Sequence, residues 1–492
     1  MPGTITYFSI TNKTDRSTMK KTFYSLLLLI AFSLLIANRA DAKIKLPGIF
    51  GDNMVLQQQA QDKLWGWAGA NAMVNVTTGW DHKAYHTKAD AQGNWKITVS
   101  APKAGGPYQI AFNDGSPLTL KNVMIGEVWF CSGQSNMEMA LRGNSSPILN
   151  AAEIILNADN PQLRLCTFHT ANSLTPLTDV QAQWNESTSE TARNFSAIAY
   201  QFGAILQKKL HVPVGLIVSS VGGTMIESWM SKGSLAAFPE VKVPPTILDT
   251  VKQPWKLPTA LFNGMVAPVL GFNVKGIIWY QGESNRHEPQ LYGRLFPVMV
   301  ADWRKQWGLG DIPFYYVQIA PFGSTDKTRS GPLLREAQLK GMDAIPNSGM
   351  ASTMDVGMEK FIHYMNKTLP AQRLAYWALG KTYGIKGINY LAPAYKSMEV
   401  SGDKITVTFN NAPYLTTYEK PSLTLFEVAG ADKVFHPAKA TIKANQVVLQ
   451  SDKVSAPIAV RYAFKEYVMA ELYNNDGIPA SSFRTDNWDD VR

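Results

Sequence analysis

The sequence predicts an α/β protein whose parallel sheet is flanked, at each end of the chain, by an antiparallel β domain. Continuous apolar runs such as "VPVGLIVSS", "KGIIWY" and "IPFYYVQIA" alternate with helix-like segments such as "AIAYQFGAILQKKL". Apolar runs of this kind are typical of parallel strands that are buried on both faces. Their alternation with helices predicts one sheet covered by helices on both sides.

The start of the chain has the pattern of a secretory signal peptide. Lys20 and Lys21 precede the apolar run Leu26–Ala37, which is short for a membrane span, and an Ala-x-Ala cleavage site ends at Ala42. We expect translation to start at Met19 and cleavage to follow Ala42, which predicts a periplasmic or secreted protein. No later stretch is apolar enough for a membrane helix, so no membrane anchor is expected.

Changes in sequence pattern divide the rest of the 492-residue chain into three parts after the leader, residues 1–42. Residues 43–120 alternate short apolar and polar runs between Gly, Asn and Asp, which predicts a small antiparallel β domain. Residues 121–385 carry the α/β pattern. The β pattern returns in residues 386–492 and predicts a second antiparallel domain.

Composition and charge exclude several kinds of partner. The net charge is +9, but residues 1–42 hold five basic and two acidic residues, so the remainder is near +6 and has no block of Lys and Arg. A nucleic-acid partner is therefore not expected. The seven histidines are scattered and no C-x-x-C pair occurs, so no metal site is expected. Cys131 and Cys166 lie in strand-like runs, which favours buried free thiols over a disulfide.

Three loops rich in small and amide side chains follow predicted strands: "SGQSNM", "SSVGGTMIESW" and "YQGESN". Ligands of open α/β sheets bind at the carboxyl ends of the strands. Glycines let the backbone approach a ligand closely, and amide N–H groups can stabilise a developing oxyanion. One such loop is typical of an ordinary turn, whereas three after buried strands indicate a site.

A serine nucleophile in these loops would need a base. His363 lies between the strand-like "SGMASTM" and a helix-like segment, in a strand-end loop where a base is required. His287 is the strongest competitor. A surface histidine would be the ordinary interpretation of either residue alone, but the three loops together favour His363.

Four stretches, in this order along the chain, resemble the motifs of sialate O-acetylesterases: "GEVWFCSGQSNMEM", "SSVGGTMIESWM", "GIIWYQGESN" and "MDVGMEKFIHYMNK". That family belongs to the SGNH hydrolase superfamily of flavodoxin-like serine esterases. The ending "ELYNNDGIPASSFRTDNW" also resembles the family, so the resemblance covers nearly all of the chain after the leader. It implies a three-layer SGNH hydrolase domain, an acetylated sugar as substrate, and no cofactor.

The resemblance also implies roles for individual residues. Ser135 would be the nucleophile and His363 the general base. Gln134 and Asn136 would support the nucleophile loop. Glu283 would pair inside the site and order one of these two amides.

An oxyanion hole is implied in the same way. It would be formed by the backbone N–H of Ser135, by that of Gly222 or Gly223, and by one side-chain amide. The resemblance favours Gln281 for this amide, with Asn285 bracing the loop.

The chain departs from the family pattern at the triad acid. The family places an aspartate three or two residues before the histidine, where this chain has Lys360 and Phe361. Asp355 and Glu359 are the remaining carboxylate candidates. A Ser–His dyad whose imidazole is oriented by a backbone carbonyl is the open alternative.

The substrate is less sharply predicted than the chemistry. Sialate is anionic, so a cation near the site is expected, and Arg142 and Arg335 are candidates, although either could be an ordinary surface or ion-paired arginine. An acetyl-xylan or other polysaccharide acetylesterase is the alternative enzyme. A noncatalytic carbohydrate-binding protein is the alternative from another class, and the oligomeric state is not predicted.

Overall fold

The computed structural model describes residues 1–8, 43–326, 330–417 and 422–488. The features of the predicted signal peptide, from Met19 to Ala42, lie outside the described residues, so export stays a prediction. Within the described ranges, no helix has both the length and the apolar character needed to cross a membrane.

The strands of the described residues follow in chain order: β1 (Val55–Gln57), β2 (Gln61–Trp67), β3 (Met73–Thr78), β4 (Ala84–Lys88), β5 (Asn94–Ser100), β6 (Gly105–Asn113), β7 (Pro117–Gly133), β8 (Asn160–Phe168), β9 (Ala182–Ser187), β10 (Val214–Ser220), β11 (Gly276–Tyr280), β12 (Phe314–Val317), β13 (Ser348–Ala351), β14 (Ala394–Ser401), β15 (Lys404–Asn410), β16 (Leu415–Thr416), β17 (Phe426–Ala429), β18 (His436–Pro437), β19 (Lys439–Lys443), β20 (Gln446–Gln450), β21 (Ala459–Tyr462), β22 (Tyr473–Asn474) and β23 (Phe483–Arg484). The α-helices of the same residues are α1 (Ser135–Glu138), α2 (Ala151–Leu156), α3 (Ser189–Arg193), α4 (Ala197–Leu210), α5 (Lys232–Leu235), α6 (Pro289–Trp307), α7 (Gly331–Ala344) and α8 (Thr368–Trp377). Short 3-10 and π-helical turns lie at Ile226–Trp229, Pro254–Lys256, Phe262–Val266, Ala267–Val269, Glu283–Asn285 and Ala378–Thr382.

The central sheet has the strand order β13-β12-β11-β7-β10-β8-β9. All of these strands are parallel except β9, which pairs antiparallel with β8 at the edge. Numbered along the chain, the parallel strands lie in the order 2-3-1-4-5-6, which differs from the 2-1-3-4-5 order of flavodoxin-like folds. The chain places β8 and β10 on one side of β7, with β10 between β7 and β8, and then places β11, β12 and β13 on the other side. Strand β7 therefore marks the switch point of the sheet.

Strand β7 is long because it serves two sheets. Its first half pairs with β1 and β6, and its second half pairs with β10 and β11. The predicted domain boundary at residue 120 therefore falls inside a strand that continues from the N-terminal β region into the central sheet. The division of the chain into three domains stays a prediction.

Both faces of the central sheet are buried, as the unbroken apolar runs predict. On β7, Val128 and Phe130 pack into one core, and Trp129 and Cys131 pack into the other. Helices α6 and α7 cover the first face, and α4 and α8 cover the second. The predicted α/β architecture, with a mainly parallel sheet and additional antiparallel sheets, is confirmed.

The C-terminal β region has its own core and contacts α7. Its antiparallel sheets bury aromatic side chains such as Phe426, Tyr462 and Phe483. Arg484 pairs with Glu336 of α7, Nη2 to Oε2, at 3.0 Å. This contact ties the last strands of the chain to a helix of the α/β layer.

Both cysteines are free and buried. Cys131 is on β7 and Cys166 is on β8, and β10 lies between these two strands. Burial raises the pKa of both thiols, so neither is poised to react as a thiolate. The expected free thiols are found.

Candidate active site

The three predicted loops begin at the same level of the sheet. Gly133, at the end of β7, pairs in register with Ser220 of β10 and with Tyr280 of β11. Gly133 has φ +140°, and a Cβ there would lie 2.1 Å from the Tyr280 carbonyl oxygen, so only glycine permits this approach. The three loops therefore leave the sheet together at its switch point, where open α/β sheets bind ligands.

Ser135 begins the short helix α1 directly beyond this point. Its Oγ lies 2.8 Å from Nε2 of His363, which the loop after β13 supplies. Ser135 is partly exposed, whereas Ser132 in the same motif is fully buried inside β7. The structure thus brings together the serine and the histidine that the sequence singled out, and it leaves the neighbouring serine out of reach of a substrate.

The surroundings of His363 favour a neutral imidazole. Partial burial lowers its pKa, and the nearby Lys367 ammonium lowers the pKa further by charge repulsion. A neutral imidazole can accept a proton at Nε2 from the Ser135 hydroxyl. The pair has the geometry and the protonation state that general-base activation of a serine requires.

A hydroxyl, rather than a carboxylate, contacts the other imidazole nitrogen. Ser145 Oγ lies 2.8 Å from His363 Nδ1, and Ser146 Oγ donates to the His363 carbonyl oxygen at 2.6 Å. Both serines belong to the loop that follows α1. Sequence reasoning missed them, because a Gly-Asn-Ser-Ser-Pro loop is typical of an ordinary turn.

The two predicted carboxylates are placed elsewhere. Asp355 pairs with Arg373 of α8 through both oxygens, at 2.7 and 2.6 Å. Glu359 has an exposed side chain, and its backbone carbonyl accepts from Gly323. The structure pairs neither carboxylate with His363, so the expectation of a triad acid at Asp355 or Glu359 has no contact to support it.

Asn136 connects three parts of the site. Its Nδ2 donates to Glu283 Oε1 at 2.6 Å and to the carbonyl oxygen of Ile362 at 3.3 Å. Its Oδ1 accepts from Lys367 Nζ at 2.6 Å. Because Asn136 adjoins the serine and Ile362 adjoins the histidine, this amide fixes the two reacting groups relative to each other.

The predicted neighbour Gln134 accepts from the backbone N–H groups of Gly282 and Ser284 and braces the third loop.

Lys367 is a functional candidate that sequence reasoning missed. It is fully buried, its Nζ lies 3.8 Å from the centre of the Tyr364 ring, and burial lowers its pKa to about 7. Burial has the opposite effect on Glu283 and raises the pKa of its carboxyl group. Asn136 thus bridges a buried lysine and a buried glutamate, each of which is pushed towards its neutral form. The sequence offers little signal for this arrangement, because a lysine before a helix ordinarily faces solvent.

The side-chain amides of the third loop are already engaged. Gln281 is fully buried, and its Nε2 donates to the Thr224 carbonyl oxygen at 3.1 Å and to Asn285 Oδ1 at 2.7 Å. Asn285 in turn accepts from the Ile226 N–H and donates to Glu227. Both N–H groups of Gln281 are therefore used for bracing, and the expected oxyanion role of this amide is not supported by its contacts. Asn285 braces the loop through these contacts, the role that the sequence resemblance favoured for it.

The glycine turn after β10 lies against the serine. A Cβ on Gly222 would be 3.4 Å from Ser135 Cβ and 2.8 Å from Glu138 Oε2. Gly223 has φ +69°, a conformation that favours glycine. This turn brings backbone groups next to the position of a substrate carbonyl, while Glu138 puts a carboxylate at its edge.

The predicted arginines differ in their accessibility. Arg335 is fully buried, and its Nε donates to Ser482 Oγ at 3.1 Å, so it joins α7 to the C-terminal β region and cannot reach a substrate. Burial lowers the pKa of Arg335 to about 10. Arg142 is exposed near the end of α1 and stays a candidate. A cation that the sequence did not single out, Lys256, lies across Gly223.

Comparison with known proteins gives a consistent result. Residues 125–379 match the model of a family described as carbohydrate esterase, sialic acid-specific acetylesterase. The chain is 29% identical to the sialate O-acetylesterases of Homo sapiens and Pongo abelii over 479 residues, which cover 88% of this chain and 90% of each relative. A solved carbohydrate acetylesterase from Xanthomonas citri is 35% identical, with a TM-score of 0.83 over 90% of this chain and 100% of that one.

Proposed function

The chain belongs to the family of carbohydrate esterases described as sialic acid-specific acetylesterases, and on that premise we propose that it removes O-acetyl groups from sialic acid through an acyl-enzyme on Ser135. The assignment as a carboxylic ester hydrolase follows from the family and its relatives. The observation that carries the catalytic proposal is the 2.8 Å contact between Ser135 Oγ and His363 Nε2 at the switch point of the sheet.

Acylation begins when Ser135 Oγ attacks the acetyl carbonyl carbon and its proton passes to His363 Nε2. The π electrons of the carbonyl group move to its oxygen, which becomes the oxyanion of the tetrahedral intermediate. When the C–O bond to the sugar breaks, the sugar oxygen takes the proton from Nε2 and leaves as a hydroxyl. The products of this half are the deacetylated sugar and an acetyl ester on Ser135.

Deacylation repeats the same proton transfers with water. His363 Nε2 takes a proton from the water whose oxygen attacks the acetyl-enzyme, and a second tetrahedral oxyanion forms. Collapse of this intermediate breaks the bond to Ser135 Oγ, which recovers its proton from Nε2. Acetic acid leaves with the second hydrogen of the water and ionises to acetate in solution, and the Ser135 hydroxyl is ready for another cycle.

Backbone N–H groups are the proposed donors to the oxyanion. The Ser135 N–H lies at the start of α1, and Gly222 packs against this serine, with Gly223 next to it in the chain. The Gly222 N–H also hydrogen-bonds to the Glu138 carboxylate. Such preorganised donors lower the barrier because they need no reorganisation during the reaction. We assign Gln281 a bracing role, since its amide hydrogens are bonded within the protein.

The finer structural assignments are part of this proposal. Membership of the SGNH hydrolase superfamily is supported by the ordered loop motifs and the Ser–His pair, although the strand order is not that of flavodoxin. A separate C-terminal β domain is supported by the core of its own that this region has, whereas the N-terminal β region shares a core with the central sheet. Export through a signal peptide rests on the sequence pattern before Ala42.

The decisive experiment compares Ser135→Ala and His363→Ala with a matched control, Ser132→Ala, which removes a buried hydroxyl from the same motif. Acetate release would be measured with 9-O-acetylated sialic acid and with acetylated xylan. We expect the first two variants to lose at least about 1000-fold in kcat and the control to stay within twofold of wild type. Wild-type activity in Ser135→Ala would disprove the proposed nucleophile.

The two substrates also separate the alternatives. Preference for acetylated xylan would favour a polysaccharide acetylesterase with the same machinery. Binding of both sugars without acetate release by the wild-type protein would favour a noncatalytic carbohydrate-binding protein.

A further inference from the structure

We propose that Ser145 is a positioning residue of this site, whose hydroxyl accepts a hydrogen bond from His363 Nδ1–H in the place of a triad carboxylate. The inference rests on the proposed chemistry of Ser135 and His363. It also supplies a third partner at the point where the sequence departs from its family.

Three contacts hold the loop of Ser145 along the segment of the histidine. Ser145 Oγ lies 2.8 Å from Nδ1, and the adjacent Ser146 hydroxyl donates to the His363 carbonyl oxygen at 2.6 Å. Further along, the Leu149 N–H donates to the Met365 carbonyl oxygen at 3.0 Å. Consecutive serines of one loop thus hold His363 at its imidazole ring and at its backbone carbonyl. The Ser145 contact is therefore part of an interface between two segments.

The hydrogen bond at Nδ1 determines which nitrogen can act as the base. When Nδ1–H donates to Ser145 Oγ, the lone pair of the neutral imidazole is on Nε2, where it faces the Ser135 hydroxyl. A carboxylate would select the same tautomer and would also stabilise the imidazolium by its charge. A hydroxyl gives only the first of these effects. Of the two predicted carboxylates, Asp355 is bonded through both oxygens to Arg373, and Glu359 has an exposed side chain.

A low basicity of the histidine follows from this arrangement. The group that contacts Nδ1 is neutral, and the ionisable groups around the site include Lys367 from the start of α8, Glu283 from the third loop and Glu138 from α1. Lys256 lies at the edge of the site, across Gly223. Lys367 opposes a positive imidazolium. The proposed enzyme therefore keeps its base unprotonated to a lower pH than an enzyme with a carboxylate at Nδ1 would.

The test uses three substitutions of Ser145 and one charge-matched control at Asn144, which is exposed on the same loop. The readout is the pH profile of kcat/KM for a chromogenic acetyl ester, with thermal unfolding to verify folding. Ser145→Ala should lower kcat about 10-fold with KM unchanged, and Ser145→Thr should restore it. Ser145→Asp should raise the pKa that limits activity on the acidic side by about one unit, because the carboxylate stabilises the imidazolium. Asn144→Asp should shift that pKa by less than a third as much.

Two outcomes would overturn the inference while leaving the proposed function intact. One is a folded Ser145→Ala variant with kcat within twofold of wild type, and the other is a shift in Ser145→Asp no larger than that in Asn144→Asp. Failure of the proposed function has a different signature, since Ser135→Ala would then remain active in the same assay. In that case the inference about Ser145 fails with it.

A different observation carries a second inference, which also rests on the proposed function: we infer that Lys256 binds the carboxylate of an acidic sugar substrate. A Cβ on Gly223 would lie 3.3 Å from Lys256 Nζ and 3.4 Å from its Cε, so the lysine side chain crosses the glycine turn. The adjacent Gly222 packs against Ser135. The ammonium is therefore at the edge of the proposed acyl-transfer site.

The position of Lys256 is fixed from its backbone, and its charge remains available. Its carbonyl oxygen accepts from the buried Ser228 hydroxyl at 3.0 Å, and its N–H donates to the Gln253 carbonyl oxygen at 3.0 Å. The side chain is exposed, and none of the ion pairs found in the described ranges includes it. A cation in this setting can bind a substrate carboxylate without first breaking an internal ion pair.

The experiment compares Lys256→Gln with Lys252→Gln, an exposed lysine of the same segment. The substrates would be 9-O-acetylated sialic acid and its carboxyl methyl ester, which lacks the negative charge. Lys256→Gln should raise KM about 10-fold for the acid and less than twofold for the ester, with kcat unchanged. An unchanged KM for the acid, or an equal rise for both substrates, would overturn the assignment. Retained kcat on the methyl ester keeps this outcome distinct from failure of the Ser135 mechanism.

Discussion

Lys367 Nζ lies 2.6 Å from Asn136 Oδ1 in a fully buried position next to the proposed nucleophile. The same amide donates to Glu283 Oε1, so a lysine, an asparagine and a glutamate form one buried series behind the Ser–His pair. Removal of one member of a buried polar network leaves its partners unsatisfied, which costs more than the lost hydrogen bond itself. This series therefore affects both the placement of the reacting groups and the charge around them.

Lys367→Met should raise the pKa that limits kcat/KM on the acidic side. The lysine charge disfavours a positive imidazolium and so lowers the pKa of His363. Below pH 7 Lys367 is increasingly protonated, because its own pKa is lowered only to about 7, and this is the range in which the histidine titrates. We expect a rise of about 0.5 to 1 unit, measured as the pH dependence of kcat/KM.

Lys360→Met provides the control, because Lys360 is an exposed lysine three residues before the same histidine. Its pH profile should match that of wild type. A wild-type profile in a folded Lys367→Met variant would contradict the electrostatic role of the buried lysine.

Asp355→Asn should affect stability more than catalysis. The substitution removes the charge of a carboxylate that pairs with Arg373 at 2.6 to 2.7 Å, and it leaves that largely buried guanidinium without its anionic partner. We expect the free energy of unfolding to fall by about 1.5 to 3 kcal/mol, measured by urea denaturation. The pKa that limits kcat/KM on the acidic side should stay within about 0.2 units of the wild-type value. A large shift of that pKa would instead support Asp355 as a triad acid.

The free thiols give a prediction about redox conditions. Cys131 and Cys166 are buried on strands that β10 separates, and burial raises the pKa of both. Neither thiol should react with a thiol-specific reagent in the native protein, and both should react after denaturation. A reducing agent should leave the melting temperature unchanged, whereas a lowered melting temperature would reveal a disulfide that the structure does not contain.

The sequence was informative where chemistry and backbone geometry coincide. Ser135 and His363 could be predicted because each lies in a loop directly after a buried strand and the motif marks both. Gly133 lies where the ends of two strands approach so closely that only glycine fits. Ser145 could not be predicted, because its partner is 218 residues away and a serine in a loop carries no sign of its contact. Lys367 and Arg335 were not recognised as buried, since burial depends on packing between segments that no local pattern specifies.

Arg335→Met tests whether the buried arginine serves stability rather than substrate binding. The guanidinium donates to Ser482 Oγ and to the carbonyl oxygen of Glu466 in the C-terminal β region. Its loss would leave those acceptors unsatisfied, so we expect about 3 kcal/mol of lost stability, measured by denaturant unfolding. KM for 9-O-acetylated sialic acid should remain within twofold of wild type at a temperature where the variant is folded.

Arg142→Met serves as the comparison. Because that arginine is exposed, its substitution should lower the free energy of unfolding by less than about 0.5 kcal/mol. A rise in KM confined to Arg335→Met would return this arginine to the list of substrate contacts, and it would require the C-terminal β region to move away from α7 during binding.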